Sequence, residues 1–240
     1  MSIISGMSPT QIAQLSTQQI KDLKATDFKA MKTDQLAALT GDQIGAIETR
    51  DFVTLSAKAI ASLNTDALVT GMASYEVDKI TATQLKGLTN DQMSKLGSDF
   101  VEKLDATQVK AMTPTQLNQL TAAQVTALGD KIQHWSAAQL KALDDTKLAA
   151  LDGDQVKVLT GTHLKALTPD QISKLDKTAF AEVDSTALKA LSAKQVGALT
   201  NDQIEAVGAK IADLSAVQVK GLTTAQMTGL KADSIQALTA

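Results

Sequence analysis

Side chains able to do acid–base, nucleophilic or metal chemistry are few and scattered. The chain has two histidines, His134 and His163, and no cysteine in 240 residues. Without thiolates, a zinc site built on two distant histidines would need carboxylates at a recognisable spacing, and none is found. Asp144-Asp145 and Asp152-Gly153-Asp154 bring acids together. Neither continues into an EF-hand loop or a Gly-Gly-x-Gly-x-Asp calcium nonapeptide. Serine is common, but no G-x-S-x-G elbow is present, and the scattered glycines form no phosphate-binding loop. The sequence therefore points to no catalytic, cofactor-binding or metal-ligating residue and to no small-molecule substrate. It reads as a non-enzyme with no cofactor.

The elements that position these residues follow an eight-residue rhythm. Leu39-Thr-Gly-Asp-Gln-Ile-Gly-Ala46 recurs as Leu88-Thr-Asn-Asp-Gln-Met-Ser-Lys95, Leu167-Thr-Pro-Asp-Gln-Ile-Ser-Lys174 and Leu199-Thr-Asn-Asp-Gln-Ile-Glu-Ala206. From Met7 onward the chain divides into 29 such units and a stub, Leu238-Thr-Ala240, and Gln holds the fifth place in 16 of them. A strand would put the apolar places 1 and 6 on opposite faces. A continuous helix would let the apolar stripe drift by roughly 80° per octad. One short helix per octad keeps both anchors on one core.

Four features support that reading. Thr, Ser or Asp at place 2 with Gln at place 5 matches the capping box, with place 2 as N-cap and Gln at N3. Places 1 and 6 are then N′ and N4, the hydrophobic staple, as in Leu15 with Ile20, Leu39 with Ile44 and Leu191 with Val196. Pro9, Pro114 and Pro169 all fall at N1, which suits proline. Acids such as Asp42, Asp91 and Asp202 come early in units and lysines such as Lys86, Lys110 and Lys189 come late, as the helix dipole favours. The sequence thus predicts an all-α solenoid or superhelix of capped helices six or seven residues long, one per octad. Helices this short are not stable alone and must bury faces against neighbouring units. Handedness and units per coil do not follow from the pattern.

A longer period lies over the octads. Leu128–His134 and Val207–Asp213 have seven residues, and residues 71–79 form a nine-residue unit. The short units lie 79 residues apart, an offset that also aligns residues 88–95 with 167–174. The expected organisation is an N-terminal extension, residues 1–6, followed by one array over residues 7–240. The irregular units carry the three candidates for binding. Tyr75 sits in the long unit, while His134 ends a short one and Trp135 takes the next place-1 anchor. They read either as an irregular surface with an aromatic hot spot or, for Trp135, as a bulky spine residue filling the space the deletion leaves. His163 stands at place 5, where it reads as a glutamine substitute.

Composition limits the partners. Net charge is −3, with one arginine, Arg50, among 23 basic residues, which argues against nucleic acid. No apolar run is long enough to span a membrane, and the start, Met1-Ser-Ile-Ile-Ser-Gly, does not resemble a secretory signal. The unit L-[TS]-x-x-Q-[ILV]-x-A, carried by residues 88–95, 112–119, 120–127, 167–174, 199–206 and 222–229, resembles the tandem octapeptide tracts of large bacterial exoproteins and adhesin-like surface proteins. That resemblance implies a spacer or presentation segment. The expected function is a structural or protein-interaction scaffold, secreted or surface-exposed without a Sec signal, or cytoplasmic. The alternatives are a leaderless secreted effector acting by protein binding and a filament that self-associates end to end.

Overall fold

A computed structural model describes residues 3–73 and 77–239. Each octad folds in the same way, and Leu39–Ala46 shows why. Thr40, extended at φ −79° and ψ 166°, starts the helix Gly41–Ala46 as its N-cap. The Ile44 amide donates to the Thr40 carbonyl at 2.9 Å, closing one α-turn. Three residues on, the Ile47 amide donates back to the Ile44 carbonyl at 3.1 Å. Ile47 is itself extended, at φ −64° and ψ 126°, and serves as C-cap. Two successive extended residues, the C-cap at place 1 and the N-cap at place 2, therefore turn the chain between helices. The apolar residue at place 1 ends one helix and leads into the next.

Among the described residues, 14 of the 26 α-helices span six residues, as predicted, and ten span four or five; place 1 closes the last turn with an i→i+3 bond instead of continuing the helix. Pro9, Pro114 and Pro169 each open a helix, as expected. No strand occurs among the described residues.

The chain divides into two compact units, Met1–Gln119 and Leu120–Ala240, and the division falls between two octads. In the first, helices Thr17–Asp22, Gly41–Ala46 and Thr65–Met72 pack successively on one another. Helices Pro9–Ala13, Thr33–Ala37 and Ala57–Ser62 form a second column, and the 3-10 helix Ile3–Gly6 with Ala25–Ala30 and Thr49–Phe52 a third. Each helix thus packs on the third one after it, and three octads make one coil. The second unit repeats this, for example with Ala137–Lys141, Gly161–Ala166 and Ser185–Lys189. Both units are all-α repeat solenoids around a spine of place-1 and place-6 residues. Leu39, Ile44, Leu164, Leu167, Val196 and Leu199 are all buried in it.

The seven-residue units use a different device. Leu128 and Val207 stay in the right-handed helical region, and the glycines that follow them, Gly129 and Gly208, both take φ of +53°. That left-handed residue reverses the chain where an octad uses two extended residues. A 3-10 helix follows in each case, Gly129–His134 and Gly208–Asp213. Its steeper rise lets six residues cover the path of a longer α-turn.

Candidate functional site

The place-5 glutamine is the polar group that recurs most often in the core. In Gln43 the carbonyl oxygen Oε1 accepts the Thr40 amide at 2.9 Å, completing the capping box that the sequence predicts. Its amide Nε2 then does something the sequence reading missed. It donates to the carbonyls of Ile12 at 2.9 Å and Leu15 at 2.7 Å, 31 and 28 residues back and so one coil earlier. Gln35, Gln92, Gln108, Gln116, Gln195, Gln203 and Gln226 repeat the pattern, each reaching a place-6 carbonyl and the next place-1 carbonyl in the preceding coil. These seven glutamines are buried. One side chain thus caps its own helix and ties that helix to the coil before it. Both halves of a buried amide are satisfied, which a core requires.

The substitutes at this position keep the bridge by other chemistry. In the helix Gly161–Ala166, His163 Nδ1 accepts the Thr160 amide at 3.1 Å, while Nε2 lies 2.8 Å from the Trp135 carbonyl. An amide can only donate and a carbonyl can only accept. His163 is therefore the neutral tautomer with its proton on Nε2. In a seven-residue unit, Lys210 Nζ donates to the carbonyls of Ala181 at 2.6 Å and Val183 at 3.0 Å. Asp51, at place 5 of its octad, reverses the polarity: Oδ1 accepts the Ala25 amide of the preceding coil at 2.9 Å.

Of the candidate binding residues, Trp135 joins this network through its backbone carbonyl. Tyr75 falls outside the described residues. His134 is half-buried at the end of its 3-10 helix. Trp135 is 3% exposed, in the spine, and its indole nitrogen has no hydrogen-bond partner among the described residues. The two histidine regions are tied through the Trp135 backbone carbonyl to His163.

Several acids are occupied as caps and ion pairs. Asp144 and Asp152 cap the helices Asp145–Ala149 and Gly153–Lys157, and Asp145 pairs with Lys174 at 3.3 Å. Hydrogen bonds from the Thr178 hydroxyl, then from the Ala179 and Thr178 amides, hold the Asp176 carboxyl below its ordinary pKa. Burial pushes Asp144 upward, but hydrogen bonds from the Lys147 side chain and amide outweigh it and leave the pKa lowered. Lysines also reach acids one coil away: Lys95 to Asp66 at 3.1 Å, Lys177 to Asp202 at 3.2 Å and Lys189 to Asp213 at 3.0 Å. These pairs are exposed and each contributes little to stability. Among the described residues, no group of three or more His, Asp or Glu residues could hold a metal ion.

These features define the class of protein, an all-α solenoid of octapeptide repeats with three octads per coil. The chain matches no family model and no curated protein. No helix among the described residues is long and apolar enough to cross a membrane.

Proposed function

We propose that the chain is a non-enzymatic repeat scaffold, a structural spacer or protein-interaction segment. One observation carries this reading: among the described residues, every buried side-chain nitrogen and oxygen except Trp135 Nε1 is hydrogen-bonded within the fold. Buried glutamines bridge coils, threonines, serines and aspartates cap helices, and His163 stands in for a glutamine. General acid–base catalysis needs such groups free to meet a substrate in a cleft. The resemblance to octapeptide tracts of bacterial exoproteins supports a surface or secreted setting for such a scaffold.

A scaffold of interchangeable coils should tolerate loss of one coil. Residues 143–166 comprise three whole octads, with helices Asp145–Ala149, Gly153–Lys157 and Gly161–Ala166. Deleting them should leave the helical signal per residue unchanged in far-UV circular dichroism and reduce the radius of gyration in solution scattering. Collapse of the whole chain's helicity on this deletion would refute the modular reading. So would a turnover activity mapped to particular side chains.

A further inference from the structure

Four octads carry alanine at place 5 and so lack a side chain that could bridge coils: Ala59, Ala67, Ala179 and Ala187. Three of them share a second feature. The octads' place-3 glycines are Gly41, Gly153 and Gly161, and each stands 26 residues before one of these alanines, Ala67, Ala179 and Ala187 in turn. There the coils close up. A Cβ on Gly41 would lie 2.6 Å from Thr70 and 3.3 Å from the Ala67 carbonyl oxygen. One on Gly161 would lie 2.6 Å from Ala190, and one on Gly153 3.0 Å from Glu182. Small residues on both sides let one coil settle into the space that a glutamine occupies elsewhere.

Ala59 is the exception. The residue 26 before it is Thr33, and this joint stays open as a groove of about 550 Å³, lined by Thr33 and Ala59 with Phe28, Met31 and Ser56. Gln43 shows what a glutamine does at such a joint: it bonds the carbonyls 31 and 28 residues back and the amide three back. Counted from Ala59, those groups are the Phe28 and Met31 carbonyls and the Ser56 amide. The Met31 carbonyl has no donor and the Ser56 amide no acceptor among the described residues, and the Phe28 carbonyl keeps only a 3.3 Å bond from the Met31 amide. The same groove is lined by Lys29, Lys32 and Lys58 and by no acid. All three lysines are exposed and make no ion pair among the described residues. Lys32 stands at place 2, where other octads carry a capping Ser, Thr or Asp, and it makes no side-chain cap bond.

We infer that this groove binds a glutamine side chain presented by an acidic segment of a partner protein. This rests on the protein-interaction reading and gives the partner's chemistry. The incoming glutamine makes from outside the bonds that Gln43 makes from within: Nε2 donates to the Phe28 and Met31 carbonyls, and Oε1 accepts the Ser56 amide. A primary carboxamide carries both the donors and the acceptor that these groups require. A carboxylate would set its oxygens against two carbonyls, and an apolar side chain would leave the backbone groups unpaired, so the site selects by hydrogen bonding. Lys29, Lys32 and Lys58 complement carboxylates on either side of the glutamine, which steers and orients the segment. The groove's volume falls in the usual range for ligand sites.

A fluorescein-labelled peptide, Asp-Glu-Gln-Glu-Asp with a free C-terminal carboxylate, titrated with the full chain and followed by anisotropy, tests this. The parent should bind it saturably. Leucine or glutamate in place of the peptide's glutamine should weaken binding about tenfold or more, the equivalent of one or two lost hydrogen bonds. Ala59→Gln should fill the groove from within, as Gln43 does over Thr17, and weaken peptide binding by about tenfold or more. Because it adds bonds, urea unfolding should show this variant at least as stable as the parent, which separates lost binding from lost folding. Lys29→Glu with Lys58→Glu should also weaken binding, with the far-UV circular dichroism of the parent. A parent that does not bind the peptide overturns the inference. So does equal binding of the leucine peptide, which would reduce the contact to charge attraction, or a folded Ala59→Gln that binds as the parent does. Failure of the peptide to bind would leave the scaffold reading standing, since the coil deletion tests that reading separately.

Discussion

Replacing Gln43 by alanine separates the two roles of the place-5 side chain. The substitution removes the Oε1 acceptor that caps the helix, for a loss of about 0.5–1 kcal/mol. It also strips the preceding coil of two donors. The Ile12 carbonyl keeps a bond from the Leu15 amide at 3.1 Å, so its loss is an ordinary hydrogen bond, about 0.5–1.5 kcal/mol. The Leu15 carbonyl has no other donor among the described residues and is left bare, at about 1–3 kcal/mol. Together these give about 2–5 kcal/mol. Gln19→Ala is the control. Gln19 makes the same cap, to Ser16 at 2.8 Å, but its Nε2 has no partner among the described residues, so its loss should be about 0.5–1 kcal/mol. Gln43→Glu adds a test of chemistry at constant size. Its carboxylate would face two carbonyl oxygens in a buried site, so its folded-state pKa must rise above the unfolded value. A group raised in this way stabilises the fold at low pH and loses that contribution as pH climbs through its folded pKa. Gln43→Glu should therefore be least stable at neutral pH and recover on acidification. Urea unfolding followed by far-UV circular dichroism reads all three variants. If Gln43→Ala and Gln19→Ala cost the same, the inter-coil bridges contribute nothing and glutamine serves only as a cap.

Other consequences can be checked with the same measurement. Gly129→Ala meets no neighbouring atom, so its cost should be purely conformational, about 1–2 kcal/mol for a left-handed residue. Gly221→Ala is a steric case, because its Cβ would lie 2.3 Å from the Ala193 carbonyl oxygen. It should destabilise the second unit more than Gly129→Ala and disturb the coil contact around residues 193–221. His163→Gln should be close to neutral, since glutamine supplies the same acceptor and donor, whereas His163→Leu should cost about 2–4 kcal/mol by leaving the Thr160 amide and the Trp135 carbonyl unpaired. Acid should weaken the second unit first. The carboxyls of Asp144, Asp176, Asp184 and Asp213 are all lowered, so their contribution is present above the unfolded aspartate value of about 4 and lost as pH falls through their lower folded values. Asp176→Asn keeps a capping oxygen that does not titrate, and it should make the loss of helicity between about pH 4 and 2 shallower.

The octad was legible because its signals are local. A cap at place 2, glutamine at place 5, apolar anchors at 1 and 6 and proline at N1 all act within one helix, and the structure realises them in the helix Gly41–Ala46 and its relatives. Packing between coils was not legible, because near-identical octads erase the information about which one meets which. Gln43 looks the same in sequence whether its amide faces water, as Gln19's does, or reaches Ile12 and Leu15. A trace of the coil period was nevertheless present. A side chain at Gly41 would run into Thr70, one at Gly87 into Ala57 and one at Gly161 into Ala190, each a close approach of helices from successive coils. The N1 position alone would admit proline at Gly41, but Thr70 lies 2.6 Å from where a Cβ would stand. Local helix grammar therefore sets what an octad can form, and the small residues at a few positions set how closely one coil can lie on the next.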